Sequence, residues 1–120
     1  MTDRYAILVN TSTEDVGPTV NGLEYALDLD DGGFEVEVFL DGSATKWTDE
    51  LESNRDHPVG SPFELAEERG LIAGACPHCA TTFEATDGIE ARGIAYVGEE
   101  GEHGPDISEL ARTHELLTIG

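Results

Sequence analysis

The stretch "LIAGACPHC", residues 71 to 79, joins a short apolar run to the two cysteines of the chain. The run "LIAGA" is typical of a strand that is buried on both faces, as strands of a parallel sheet are. Pro77 suits the first position of a helix, so a helix can begin directly after Cys76. The stretch therefore predicts a strand that passes at once into a helix, with Cys76 and Cys79 at the junction.

Strands and helices alternate on both sides of this junction. Further strands are predicted at residues 5–9, at residues 34–40, near residue 96 and at residues 115–119. Helices are predicted with Pro18 at a first helical position, over residues 62–69, and after a cap at Asp106. This order predicts a single α/β domain over residues 1–120, in which helices cover both faces of a five-stranded parallel sheet in three α/β/α layers.

The chain is strongly acidic, with 26 acidic residues, 6 basic residues and a net charge of -20. Such a field repels phosphate backbones and anionic lipids, so neither nucleic acid nor a membrane is expected as a partner. The acidic residues are spread along the whole chain, which is typical of adaptation to high salt and indicates a halophilic source.

The N-terminal residues run directly into a strand and show no signal peptide, and no apolar segment has membrane-spanning length, so a cytoplasmic protein is expected. Two cysteines at this spacing in a reducing compartment more often bind metal or react than form a structural disulfide.

The sequence "CPHC", residues 76 to 79, has the features of a reactive thiol site. With Cys76 as the N-cap, its sulfur lies over the free N–H groups of the first helical turn, and these groups and the helix dipole favour a thiolate. Cys79 falls in the same turn, and His78 is a possible positive neighbour. The arrangement suits persulfide formation, sulfur transfer or a dithiol/disulfide cycle, with Cys76 and Cys79 as the catalytic candidates.

Two other interpretations of the cysteines remain open. Both could be small buried residues that only pack at a tight strand-to-helix junction. The second interpretation is a zinc site, because Cys76 and Cys79 could supply two of the four ligands that structural zinc sites use. His57, His103 or a second subunit would have to complete such a site, since no second Cys-x-x-Cys occurs. We therefore expect neither a resident metal nor a cofactor.

The loop "NTSTED", residues 10 to 15, follows the first predicted strand and contains three hydroxyl side chains. Thr11, Ser12 and Thr13 could bind a phosphate or border a pocket that also includes Pro77 and His78. The acidic residues that follow would repel a phosphate, so a plain capping loop is the alternative.

Across nearly the whole chain the sequence resembles the DsrE/DsrF family, in particular its small YchN-like members. The resemblance rests on the segments "YAILVN", "EVEVFLDG", "PFELAEERG", "LIAGACPHC" and "ISELARTHELLTIG". It places Cys76 at the sulfur-binding cysteine of that family and Cys79 at the second cysteine that some members have. A departure is the Arg-Gly pair that often follows the cysteine closely, because Arg92-Gly93 lies further along this chain.

The resemblance implies a flavodoxin-like, DsrEFH-like sheet and a homo-oligomer, either a trimer or a hexamer, with a sulfur donor or acceptor protein as a possible partner. It also implies a sulfur carrier or sulfurtransferase that accepts sulfane sulfur as a persulfide on Cys76, with Cys79 as the partner thiol. The alternatives are a non-catalytic oligomeric module that binds a metal or a small ligand, and a dithiol/disulfide redox protein that uses the same two cysteines.

Overall fold

The sheet is parallel throughout and has four strands in the part of the chain that the structure describes. The structure is a computed structural model that describes residues 3–120, so the first two residues of the predicted domain lie outside it. The strands are β1 (Arg4–Val9), β2 (Glu35–Leu40), β3 (Ile72–Ala75) and β4 (Glu115–Ile119). They lie in the order β3-β2-β1-β4, and each neighbouring pair is parallel, which confirms the predicted α/β class.

Helices fill the connections between the strands. They are α1 (Val16–Asp31), a short 3-10 helix (Gly42–Lys46), α2 (Trp47–Ser53), α3 (Gly60–Glu68), α4 (Pro77–Thr82), α5 (Thr86–Ala91) and α6 (Ile107–Thr113). The prediction that Pro18 occupies the first position of its helix is wrong, because α1 begins two residues earlier. Pro18 is tolerated there because the first-turn amides of a helix have no intrahelical acceptor. Among residues 3–120, no helix combines the length and apolar character that crossing a bilayer requires.

The predicted five-stranded sheet is wrong, and the error lies in the segment near residue 96. Tyr96 makes only an isolated parallel bridge with Ala75. The Ala75 amide donates to the Ala95 carbonyl at 2.9 Å, and the Val97 amide donates to the Ala75 carbonyl at 3.0 Å. Gly93 and Gly98, with φ of 70° and 130°, bound this segment, and the Ile94 amide donates to the Ile89 carbonyl of α5 at 3.1 Å, so the segment follows β3 only around Tyr96.

Apolar side chains cover both faces of the sheet. One face carries Ile7, Val9, Val38 and Leu40, which belong to a core shared with α1, α2 and α3. The other face carries Ala6, Leu8 and Phe39, which pack against the partly buried side chains Leu110 of α6, Leu116 of β4 and Val97. The alternation along each strand follows the two-residue period of β structure, so helices flank the sheet on both faces as predicted.

The net charge of -20 predicts that added salt stabilises the fold. Ions shorten the Debye length from about 10 Å at 0.1 M to about 3 Å at 1 M, so repulsion among the acidic side chains falls. We expect the free energy of unfolding, measured with urea, to rise with KCl concentration, most steeply below about 1 M. Replacing exposed residues such as Glu24 and Asp28 with Gln and Asn should flatten the dependence. An unchanged urea midpoint across this range would contradict the expectation.

Candidate functional site

The candidate site lies at the carboxyl edge of β2 and β3. Leu40 pairs with Ala75 in the last register position of the two strands. The Cys76 amide then donates to the Leu40 carbonyl at 3.0 Å, so Asp41 and Cys76 leave the sheet side by side. Sequence reasoning missed Asp41, although its signal was present: it directly follows a predicted strand, whose carboxyl end must share this edge in a parallel sheet.

Cys76 is the N-cap of α4, as predicted. Its backbone is extended, with φ -69° and ψ 119°, and Pro77 takes the first helical position. The Cys79 amide donates to Cys76 Sγ at 3.4 Å, which places one of the free donors of the first turn on that sulfur. A donor in this position stabilises negative charge on the sulfur. The Cys76 side chain is completely buried, and both cysteines are free.

Cys79 lies in a different environment from Cys76, although both are in one helical turn. Its sulfur donates a hydrogen bond to Asp41 Oδ1 at 3.4 Å. Burial, the hydrogen bond with Cys76 and the nearby Asp41 carboxylate raise the pKa of Cys79 to about 12, against a smaller opposite effect of the Gly42 amide. Cys79 is therefore a protonated thiol at neutral pH that donates its hydrogen bond to the Asp41 carboxylate.

His103 completes a cluster of potential ligands with the two cysteines. Its Nδ1 lies 4.0 Å from Cys76 Sγ. One ligand atom each from Cys76, Cys79 and His103 lies within 4.8 Å of the other two. The His103 and His78 rings pack with their centroids 4.1 Å apart. The sequence named His103 as one residue that could complete a zinc site with the cysteines, and the structure brings it to Cys76.

The segment that carries His103 is held against the start of α4. The His78 amide donates to the Glu102 carbonyl at 3.0 Å. The Glu99 amide donates to Glu102 Oε1 at 2.7 Å, which closes a turn within the segment. Gly104 packs so closely that a Cβ at this position would lie 1.6 Å from the Val97 carbonyl oxygen. Because Val97 is itself bonded to β3, the position of His103 is fixed relative to the strand that precedes Cys76.

The hydroxyl side chains of the predicted phosphate loop make local contacts. The Thr11 hydroxyl lies 2.6 Å from that of Thr19 on α1, and the Ser12 hydroxyl donates to Asp15 Oδ2 at 3.0 Å. The Thr11 carbonyl accepts a hydrogen bond from the Trp47 indole at 2.9 Å. The Thr11 and Ser12 hydroxyls are thus engaged by neighbouring side chains, whereas Asp15, the N-cap of α1, makes no side-chain capping hydrogen bond. Thr13 borders a surface depression with Lys46 and Phe83.

His57, the other histidine considered for a metal, lies at a different place. Its Nδ1 accepts a hydrogen bond from the Val59 amide at 3.1 Å. Its ring packs edge-on against Trp47, with the centroids 5.1 Å apart. The cysteine cluster found among residues 3–120 therefore contains His103 and not His57.

A cleft of about 250 Å³ adjoins the helix that follows Cys76. The Tyr96 hydroxyl donates to Glu90 Oε2 at 2.9 Å within it. Its lining consists of Pro77, Thr81, Thr86, Glu90, Tyr96, Gly98, Glu100 and Gly101. Of the residues predicted to line a binding pocket, Pro77 is therefore in a cleft, on the side of α4 that faces the Tyr96 segment.

Comparison with known proteins supports the fold and supplies no named activity. No family model matches the chain. An uncharacterized protein of Methanocaldococcus jannaschii, MJ0733, is 31% identical over 70 residues, which cover 58% of this chain and 54% of the relative. The chain thus spans about half the length of this curated relative. The solved structure of BT1422, a conserved protein of unknown function from Bacteroides thetaiotaomicron, has a TM-score of 0.68 at 23% identity, covering 98% of this chain and 95% of that one.

The raised pKa of Cys79 predicts slow alkylation near neutral pH. In a Cys76→Ser variant with a chelator present, Cys79 is the single thiol, and mass spectrometry can follow its reaction with iodoacetamide as pH rises. Because burial is the largest cause of the shift, we expect the rate midpoint to remain above the ordinary thiol pKa of 9.0. Adding Asp41→Asn should lower the midpoint, since a negative neighbour is lost. A midpoint at the value found for the urea-unfolded chain would contradict this.

Proposed function

We propose that the protein is a sulfur carrier that accepts sulfane sulfur as a persulfide on Cys76, with Cys79 as the partner thiol. The observation that carries the proposal is the Cys79 amide, which donates to Cys76 Sγ at 3.4 Å at the start of α4. It places a backbone donor on the Cys76 sulfur, where a persulfide would carry its negative charge, in the same turn that presents a second, free thiol. The resemblance to DsrE/DsrF proteins supports the same activity, and with it a trimeric or hexameric homo-oligomer.

Loading can be written with thiosulfate as the donor. The Cys76 thiolate attacks the sulfane sulfur and forms a new S–S bond. The S–S bond of thiosulfate breaks, and sulfite leaves with the electron pair. Cys76 then carries one additional sulfur with a negative charge. Because the outer sulfur is negatively charged, hydrogen bonds from N–H groups in the first turn of α4 would be stronger than those to a neutral thiol.

Unloading has two balanced routes. An acceptor thiolate can attack the outer sulfur of the persulfide, which transfers that sulfur and restores the Cys76 thiolate without net redox change. Alternatively, the Cys79 thiol attacks Cys76 Sγ, which forms an S–S bond between the two cysteines and breaks the bond to the outer sulfur, and the outer sulfur takes up the Cys79 proton. Hydrosulfide then leaves, and a Cys76–Cys79 disulfide remains that an external dithiol must reduce. Cys79 therefore decides whether sulfur leaves as sulfide or passes to an acceptor.

The surroundings of Cys76 favour a small donor. The Cys76 side chain is fully buried, so a donor reaches the sulfur only when neighbouring residues move. The protein as a whole repels anions, but the Cys79 amide, 3.4 Å from Cys76 Sγ, is a local hydrogen-bond donor for an anionic sulfur. Salt screening weakens the general repulsion over longer distances and leaves this close contact less affected.

Intact-mass measurement after incubation with thiosulfate or polysulfide tests the proposal. We expect the wild type to gain the mass of one sulfur atom, and Cys76→Ser to gain none. Cys79→Ser should still be loaded and should retain the sulfur longer, because the internal route to hydrosulfide is removed. Folding of each variant can be checked by circular dichroism.

Two results would overturn the proposal. One is a sulfur adduct that survives Cys76→Ser, because the sulfur would then reside elsewhere. The other is a wild-type protein that loses two hydrogen atoms and never gains sulfur, since this is the mass change of a Cys76–Cys79 disulfide and indicates a dithiol redox protein.

A further inference from the structure

We propose that Cys76, Cys79 and His103 form a binding site for one thiophilic divalent cation, Zn²⁺ above all, whose fourth coordination position is open. The inference goes beyond sulfur carriage and does not depend on it, because the sulfur chemistry uses the two thiols without His103. It rests on the convergence of two side chains of α4 and one from a distant segment. His103 is 27 residues from Cys76 in sequence, so the cluster is a product of the fold.

The distances fit a tetrahedral ion with small adjustments. Bonds of about 2.3 Å to sulfur and about 2.0 Å to nitrogen require about 3.8 Å between two sulfurs and about 3.6 Å between sulfur and nitrogen. Cys76 Sγ and His103 Nδ1 are 4.0 Å apart, and all three ligand atoms lie within 4.8 Å of one another. Rotation of the side chains would have to shorten the widest of these separations by up to about 1 Å.

The charge balance also favours a divalent cation. Two thiolates neutralise Zn²⁺, so the bound group places no net charge in a site where both cysteines are buried. The Cys79 amide, which already donates to Cys76 Sγ, would remain as a hydrogen bond to a ligating sulfur. The acidic surface of the protein attracts cations toward the site.

The third ligand is held in place by the backbone around it. The His78 amide bonds to the Glu102 carbonyl, and Gly104 packs against the Val97 carbonyl, so the residues on both sides of His103 are fixed. His78 packs against the His103 ring but is outside the group of converging ligand atoms. His78 is therefore a matched control: a neighbouring imidazole at the same site without a ligand role.

Three protein ligands are characteristic of zinc sites that accept a further molecule, whereas structural zinc sites have four. Within residues 3–120, the converging group contains only these three side chains. Water, a small thiol or a sulfur anion can take the open position. Because Cys76 is a ligand, a bound ion would also prevent its reaction with a sulfur donor.

Titration of the reduced, full-length protein with Co²⁺ tests the site, since thiolate ligands give an intense near-ultraviolet charge-transfer band. We expect one Co²⁺ per chain with tetrahedral visible bands, and displacement by one equivalent of Zn²⁺. Cys76→Ser and Cys79→Ser should each abolish the charge-transfer band or reduce it to that of one thiolate. His103→Ala should weaken Zn²⁺ binding at least about tenfold, whereas His78→Ala should leave it unchanged.

Gly104→Ala provides a variant that retains all three ligands. The new methyl group would overlap the Val97 carbonyl, so the segment must shift and carry His103 away from Cys76. We expect Zn²⁺ affinity to fall toward that of His103→Ala, and alkylation of Cys76 to become faster. Unchanged affinity and unchanged alkylation would show that His103 is not positioned by this contact.

Three outcomes would overturn the proposed site. The His103→Ala variant could bind Zn²⁺ as tightly as the wild type, or His78→Ala could lose as much Zn²⁺ affinity as His103→Ala. The third outcome is a stoichiometry of one metal ion per two chains. The persulfide assay on metal-free His103→Ala separates the two proposals. If that variant still gains one sulfur on Cys76 while Zn²⁺ binding is absent from the wild type, only the metal site is rejected. If Zn²⁺ binds as described and no sulfur adds, only sulfur carriage is rejected.

Discussion

The parallel pairing of β2 with β3 determines which groups surround the cysteines. Leu40 and Ala75 are register partners, and the next amide, that of Cys76, donates back to the Leu40 carbonyl. Asp41 and Cys76 are thus the first residues beyond neighbouring strand ends. Any shift of this register would move Asp41 away from Cys79. The chemistry of the site therefore depends on this sheet register, which continues as Phe39–Gly74 and Leu40–Ala75 after an irregularity between Val38 and Phe39.

Local features of the sequence predict one half of this arrangement. An apolar run followed by Pro77 is enough to indicate a strand that passes into a helix, with the two cysteines in the first turn. The other half depends on long-range packing, because Asp41 and His103 reach the cysteines through strand pairing and through a folded-back segment. The prediction of a strand near Tyr96 was wrong for a related reason: its apolar pattern is suitable, but Ile94, two residues earlier, is bonded to the end of α5, so only Tyr96 forms a bridge with β3.

The two cysteines illustrate how one turn can create two unlike thiols. Cys76 faces an amide donor, whereas Cys79 faces a carboxylate and is held as the protonated thiol by burial. The proposed persulfide would use this asymmetry, because one sulfur accepts the added sulfur while the other stays protonated. A divalent cation would remove the asymmetry by drawing both sulfurs into the ionised form. The proposed sulfur carriage and the proposed metal binding would thus be mutually exclusive states of one cluster, and metal supply would set which state is populated.

The complete burial of Cys76 has a kinetic consequence. In the proposed sulfur transfer, a donor would meet the sulfur only in the fraction of molecules in which the residues that cover it are displaced, so the observed rate would be the product of an opening equilibrium and an intrinsic reaction. At high donor concentration the opening step itself would become limiting, and the rate would reach a plateau. Where the His103 segment is the part that moves, the contact between Gly104 and the Val97 carbonyl would act on the loading rate without touching the reacting atoms. Selection among donors would then depend on how long each donor remains bound at the protein surface as well as on its reactivity toward the sulfur.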